Sequence, residues 1–441
     1  MPHSTPHEDG DQKPFHIAII GAGIGGLVFA IACLRNNIPY TLYESAAEYS
    51  AVGAGVGLGP NALNAMDLID PGLREMYYGI SSGNLTLWKS NIMMDALYAE
   101  EGLGEKRGWK PKGFGADCYD RTSAHRVDLL NILTSLIPVE RVKFNKRLNT
   151  LEQKADKVII TFEDGDVVET SAVIGCDGAK GPVRRYVLGG KFPENVEAKY
   201  SGKYVYRSII PMKDAMDILG EHAGDAKTFL GPKVNFITFP ISNGTQCNLV
   251  AFKMDDKPWT YPQWTKPVTR EEMIADFDTG VDKRIVKLLD WAKPLQWSLH
   301  HHMDTPIYYN RLVCLLGDSA HATTPHQASG AGQCIEDALI LSRILALVES
   351  PQQLPTAFSV YDSIRRPRAQ KVVQTSQEAG QLYTFTHPEY SDNMERIVEN
   401  FSQRFLWIWK HDLEGDAKKA ESMFKELMKT SDKIEVQESR L

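Results

Sequence analysis

Apolar residues run almost unbroken from Pro14 to Leu34 (PFHIAIIGAGIGGLVFAIACL), with four glycines in the middle. The apolar pieces on either side are each too short to cross a bilayer, which takes about 20 residues. No basic segment leads into the run and no small-residue cleavage site follows it, so it lacks the form of a signal peptide. The pattern predicts a buried strand over Phe15–Ile20, a tight turn at Gly21, a helix from about Ile24 to Arg35 and a second strand over Tyr40–Tyr43. Further along, Asn61 to Met66 begins a helix, and Val127, Leu130, Leu133 and Leu136 have helical spacing. Ala172–Gly175 and Leu312–Leu316 are short apolar runs of the kind buried in a sheet, and a largely apolar helix begins near Gln333. From about Glu194 to Met303 the texture changes to alternation, in KYVYRSIIPM, KTFLGPK, VNFITFPI and QCNLVAFKM, which predicts an antiparallel sheet in a separate domain. Hairpins are expected at Asp164-Gly165 and at Asn243-Gly244, the second with a two-residue turn.

The residues at the ends of these elements carry the candidate chemistry. Gly21 allows the sharp turn, Gly23 lets the backbone approach a pyrophosphate, and Gly26 lets the helix pack on the strand. The helix start at Ile24 then offers free N–H groups and a partial positive charge to a diphosphate. Glu44 ends the next strand, about 20 residues beyond the turn, where an acid accepts ribose hydroxyls. Together these describe a dinucleotide site. Gly55, Val56 and Gly57 lie in AVGAGVGLGPNALNAM, whose glycines suit a backbone passing close to a ligand. Arg126 could reach a phosphate or lie at the surface. Asp177, in CDG after the Ala172–Gly175 strand, and the following Arg184 are expected beside the nucleotide. Asp318 ends another buried strand and can accept a ribityl hydroxyl. After it, Pro325 and Gly330-Ala331-Gly332 lead into a helix whose positive end would stabilise a reduced isoalloxazine.

Val205, Arg207 and Ile209 share one strand face, and an arginine among apolar neighbours needs an anion. That anion is either a substrate carboxylate or phenolate, or a structural acid. His326 follows Pro325 in the loop expected to border the flavin; it meets a phenol hydroxyl or is satisfied by backbone. Three consecutive histidines, His300 to His302, point to alternating faces in an extended segment and cannot converge on one ion, so no metal site is expected. The cluster Arg365-Arg366-Pro367-Arg368 reads as a solvated or capping patch.

Composition narrows the class. The 441 residues suffice for two or three domains, and a net charge of −7 gives no reason to expect nucleic acid. Six scattered cysteines, none in a CxxC pair, suit buried hydrophobes in a reducing compartment. Met1 to Lys13 is polar and expected to be disordered. Ser439-Arg440-Leu441 resembles the Ser-Lys-Leu peroxisomal address, so a cytoplasmic location is expected with the peroxisome as the alternative.

Three motifs, taken in order and spacing, carry a resemblance. Gly21-Ala22-Gly23-Ile24-Gly25-Gly26 with Glu44, Cys176-Asp177-Gly178 with Arg184, and Gly317-Asp318 with His321 and Pro325 resemble those of single-component flavoprotein aromatic hydroxylases. VGAGVGLGPNA, HRVDLL, YRSIIPM, PHQASGAGQCIEDA and YDSIRRPRAQKVVQTS look most like the salicylate hydroxylases, and the similarity spans about Phe15 to Leu413. Gly181, Ser319 and Ala328-Ser329 depart from the usual pattern, all by small residues. The resemblance implies an α/β fold: an FAD-binding Rossmann-like domain, an inserted antiparallel-sheet substrate domain of the p-hydroxybenzoate hydroxylase kind, and a C-terminal helical segment. The expected division is a tail at 1–13; an FAD-binding domain from 14–75, 105–190 and 304–375; a substrate domain from 76–104 and 191–303; and helices over 376–441.

It also implies non-covalent FAD, with NADH or NADPH as a transient co-substrate without a domain of its own. O2 and a small aromatic acid complete the reactants, and the assembly is a monomer or homodimer with no membrane span. Arg207, His326 and His321 are the implied catalytic residues, with Arg207, Phe239 and His326 at the substrate. Related dearomatising enzymes often carry Tyr where this chain has Phe239, which favours a salicylate-like substrate. The implied reaction is decarboxylative hydroxylation of salicylate to catechol through a C4a-hydroperoxyflavin. The alternatives are a dearomatising or ring-hydroxylating monooxygenase of a secondary-metabolite pathway and, more remotely, a non-catalytic binding protein on the same scaffold. A flavin disulfide reductase would need a redox cysteine pair soon after the first motif, and none is there.

Overall fold

The computed structural model describes residues 13–49, 55–277 and 279–438, with side chains as far as residue 430. The N-terminal tail up to residue 12, residues 51–54 of the glycine-rich stretch and the tripeptide Ser439-Arg440-Leu441 lie outside the described residues. Lys13, expected in the tail, donates from Nζ to the carbonyls of Ala346 (2.7 Å) and Val348 (3.1 Å).

Two large sheets organise the chain. The first has six strands in the order Tyr309–Asn310, Val313–Leu315, Ala172–Gly175, Ile17–Ile20, Tyr40–Tyr43 and Val142–Lys143. All neighbours in it are parallel except the first pair. Its central strands are uniformly apolar rather than alternating because both faces are buried. The helices Ile24–Arg35 and Gly330–Leu345 pack on each other, and Gly330–Leu345 also meets Pro60–Ile69, Leu354–Tyr383 and Leu413–Glu438.

The second sheet has eight strands in the order Thr265–Pro267, Leu295–His301, Lys199–Pro211, Gln246–Met254, Val234–Ile241, Lys227–Gly231, Ile92–Tyr98 and Lys112–Gly115. It is mixed rather than purely antiparallel, since Lys227–Gly231 runs parallel to Ile92–Tyr98. Lys112–Gly115, expected with the nucleotide-binding segments, is its edge strand. The Asn243-Gly244 connection is longer than a two-residue turn. Ile241 pairs with Gln246, and Ser242, Asn243 and Gly244 all take positive φ between them.

One face of this sheet, with Val205, Phe239, Phe252 and Leu299, packs against Tyr383, Phe401, Phe405 and Trp409. The other, with Tyr206, Ile210, Phe236 and Leu249, packs on the helices Met212–Leu219 and Lys283–Lys287. The C-terminal helices are therefore divided. Met394–Arg404 and Leu406–Trp409 cover the second sheet, whereas Leu413–Glu438 joins the first core.

The small ribbon formed by Gly55–Gly57 and Ser123–His125 connects the two units. Gly55 N–H donates to Asn248 Oδ1 at 2.9 Å, and a Cβ at Gly55 would stand 2.5 Å from Phe239 Cε2. Only a residue without a side chain lets the ribbon lie this close to the second sheet. No described helix is long and apolar enough to cross a membrane.

Candidate active site

The glycine turn is set by two close approaches. Gly21, at φ +103°, would bring a Cβ within 2.5 Å of the Cys176 carbonyl oxygen, and a Cβ on Gly26 would lie 2.0 Å from Gly21 O. Strand, turn and helix are thus locked together, and the space beside Gly23 is open. The helix start at Ile24 follows directly, at the end of a cavity of about 540 Å3 lined by Gly21, Gly23, Glu44 and Asp177. Glu44 accepts from the N–H groups of Ala22 and Ala46, both at 2.8 Å, so it braces the turn while lining the cavity. Asp177 accepts from Val183 N–H at 3.0 Å through Oδ2, but its Oδ1 is buried without a partner. Burial pushes its carboxyl up to about 6. Such an orphaned acceptor beside a cavity is what a ligand hydroxyl satisfies. Lys146, Arg147 and Lys180 also line the cavity. Sequence reasoning missed them because single surface cations have no pattern to mark them.

The other half of the cradle follows Val313–Leu315. Gly317, at φ +70°, turns the chain into Asp318, whose exposed carboxylate accepts no hydrogen bond among the described residues. Pro325 opens a single 3-10 turn, Ala328 takes φ +49°, and Gly330-Ala331-Gly332 form the first turn of the helix to Leu345. One crevice is lined by Gly57, Ser329 and Gly332 together with Met93 and Trp409, which sets the Gly55–Val56–Gly57 strand against that helix start. Arg126 opens the helix Arg126–Ser135, and its Nε is buried without a partner.

Two other expected residues are engaged by the protein itself. Arg184, expected beside the nucleotide, does not line the cavity. It is buried and donates to the carbonyls of Ser319 and Val196, both at 2.9 Å, and to Thr305 Oγ1 at 3.1 Å. It holds the backbone behind Asp318. His321 is 1% exposed, with Nε2 bonded to Asp337 Oδ2 at 2.5 Å. Asp337 also accepts from Gly317 N–H (3.0 Å) and Arg365 Nε (2.8 Å). Glu336 accepts from Asn61 and Arg365, both at 2.6 Å, and from Arg368 at 2.7 Å. Burial opposes ionisation of both carboxyls, but Arg365, with Arg368 on Glu336 and His321 on Asp337, outweighs it and holds them at about 2. Through Nε2 and Asp337, His321 is tied to the Gly317 N–H, so the structure shows it bracing the turn before Asp318. The supposedly solvated arginine cluster supplies the arginines that pair with both carboxyls, and the helix Leu354–Tyr383 runs straight through Pro367.

The second sheet brings the substrate candidates to one face. Arg207 is half-buried, its guanidinium 5.4 Å from the Trp297 ring centroid, and no carboxylate pairs with it among the described residues. Burial and the charge of Arg126 pull its pKa down. Phe239 lies on the same face, against Gly55 and with the Arg121 guanidinium 5.0 Å from its ring. His326 is buried with both ring nitrogens unpartnered, so backbone does not satisfy it. Its ring lies 5.1 Å from that of Phe252 and 6.2 Å from that of Tyr383. Phe252 stands opposite Val205 in the ladder, two residues from Arg207, so His326 and Arg207 border one stretch of sheet. The three histidines diverge: His300 stacks on Trp264 at 4.1 Å, while His302 Nε2 bonds the Ala179 carbonyl at 3.1 Å.

Residues 128–376 match the family model described as FAD binding domain. A FAD-dependent monooxygenase of Gibberella moniliformis is 41% identical over 429 residues, covering 94% of this chain and 98% of that protein. The chain belongs to this FAD-dependent monooxygenase family. The monooxygenase is also 34% identical to 6-methylsalicylate 1-monooxygenase of Aspergillus terreus, over 93% of each chain. A salicylate hydroxylase of Pseudomonas putida is 33% identical, over 93% of this chain and 95% of that one. Among solved structures, a salicylate hydroxylase substrate complex superposes with a TM-score of 0.82 at 28% identity, covering 93% of this chain and 98% of that one. The monooxygenase is thus of the salicylate hydroxylase type. Its cofactor is FAD, with NAD(P)H the co-substrate typical of the family. The cradle fits that cofactor: two helix starts, open space beside Gly23, and unpartnered groups at Asp177, Asp318 and Arg126.

Proposed function

We propose that this monooxygenase hydroxylates a 2-hydroxybenzoate, salicylate or a ring-substituted salicylate, at the carboxyl-bearing carbon, releasing CO2 and a catechol. The observation that carries this reading is Arg207, a half-buried cation with no acid partner among the described residues, on the sheet face shared with His326. FAD, when bound, would supply the redox chemistry that NAD(P)H and O2 feed. The chain's own residues position and desolvate. Glu44 and Asp177 would hold the adenosine end and Asp318 the ribityl chain, and the positive start of Gly330–Leu345 would favour a negatively charged ring. Arg207 anchors the substrate carboxylate. His326 accepts from the phenol hydroxyl, which makes the ring electron-rich. Phe239 and its apolar neighbours exclude water.

The resemblance to fungal FAD-dependent monooxygenases favours a second reading, ring hydroxylation or dearomatisation in a secondary-metabolite pathway, which releases no CO2. A panel of hydroxybenzoates, followed for NAD(P)H consumption, ring product and CO2 together, separates the two. CO2 equal to product supports the proposal; product without CO2 supports the second reading.

A further inference from the structure

Lys203 lies on the strand of Arg207, four residues before it and on the same face, and is 6% exposed. No carboxylate pairs with it among the described residues. Its Nζ donates to the Gly380 carbonyl, which also accepts from Thr384 Oγ1 at 2.8 Å. Gly380 sits inside the long helix Leu354–Tyr383, where glycine is otherwise unfavourable. The reason is local crowding: a Cβ there would stand 2.7 Å from Lys203 Nζ, 2.9 Å from His326 Cε1 and 3.0 Å from His326 Nδ1. The missing side chain lets the amine and the imidazole edge share one small space. The Cε1–Nδ1 side of the ring borders that space, and Nε2, the other nitrogen on Cε1, has no partner among the described residues.

We propose that Lys203 is the proton acceptor behind His326, so that ionising the bound phenol places its proton on the lysine amine. The inference rests on His326 meeting the substrate hydroxyl. The phenol O–H bond breaks as an Nε2–H bond forms, and the Nδ1–H bond breaks as an Nζ–H bond forms. Phenol and amine become phenolate and ammonium, and the imidazole returns neutral in its other tautomer. A neutral amine suits both roles, since it keeps an N–H for the Gly380 carbonyl and has a lone pair free for Nδ1–H, which is without a partner among the described residues in this structure.

Burial holds Lys203 down to about 7, so the acceptor form is present above that pH. Burial, with Lys203 and His301, holds His326 well below the ordinary histidine range, so it relays rather than stores the proton. The other titratable groups facing the pair do not change charge nearby. His301 is held at about 4, chiefly by burial, and Tyr383 is kept protonated by burial.

The test uses FAD-loaded enzyme and a nitro-substituted salicylate, whose bound phenolate is read by absorbance from pH 5 to 9. In the parent, phenolate grows in with a midpoint near 7. Lys203→Met and Gly380→Ala should each raise that midpoint by a unit or more, a tenfold change at fixed pH. Unfolding at pH 8.5 should also take up about one proton fewer in Lys203→Met than in the parent, because only the unfolded lysine is protonated there. His326→Gln separates the layers. If it leaves the bound phenol's ionisation unchanged, the reading of His326 is wrong. If it shifts the midpoint while Lys203→Met does not, or if proton uptake is the same in parent and Lys203→Met, the role of Lys203 is overturned.

Discussion

Replacing Arg207 by Gln separates the two things a half-buried arginine can do. If it anchors a substrate carboxylate, the variant loses a charge-assisted hydrogen bond of about 1.5–3 kcal/mol, weakening salicylate binding about 10- to 150-fold. Folding stability should hardly change. No acid among the described residues is stranded by the substitution, and repulsion from Arg126 disappears, while the Trp297 contact contributes only about 0.5–1 kcal/mol. A structural ion pair would behave in the opposite way, costing about 3–5 kcal/mol of stability when one partner is removed. The assay is a titration of salicylate against the flavin absorbance of the oxidised enzyme, paired with chemical denaturation of parent and variant. Unchanged affinity together with a stability loss of about 3 kcal/mol would refute the reasoning.

Asp318→Ala should loosen FAD by tenfold or more, seen as flavin lost on gel filtration, because it removes a charged acceptor with no other partner. Arg365→Met should cost about 3–5 kcal/mol in denaturant unfolding, since it leaves Glu336 and Asp337 buried with too few cations. Both carboxyls are depressed to about 2, so their stabilisation is in place above the ordinary carboxylate range and is lost as pH falls from about 4 toward 2. Acid unfolding of the parent should therefore be steep in that window, and shallower in Asp337→Asn. Flavin reduction by NAD(P)H should be slow until an aromatic acid binds, as control then rests on flavin movement; stopped-flow rates equal with and without salicylate would contradict it.

What could be read from the sequence was what neighbours in the chain decide. The helix Ile24–Arg35 and the strands Tyr40–Tyr43 and Ala172–Gly175 fall where the glycine turn and the apolar runs put them, because each is bounded by its own local signals. The faces of the Lys199–Pro211 strand were likewise legible from alternation. Charged residues were harder to place. Arg365, Arg368, Arg184 and His321 look like surface or site residues by composition, yet each is buried by partners brought in from distant segments. Arg365 finds Glu336 and Asp337 from another helix, and Arg184 finds carbonyls more than a hundred residues away. Lys203 gave no signal at all, since its surroundings are assembled from a strand, a loop and the interior of a helix. The Asn243-Gly244 loop departs from the short turn because Ser242 also takes positive φ, which residue type does not reveal.

The central claim is that oxygen from O2 enters at the carbon bearing the carboxylate. It is tested most directly by turning over carboxyl-labelled salicylate with NAD(P)H under isotopically heavy O2 and weighing the products. The account predicts catechol carrying one heavy oxygen atom, with the carboxyl label recovered as CO2 in equal amount. A hydroxylated product that keeps the carboxyl label, or NAD(P)H consumed with only peroxide formed, would contradict it.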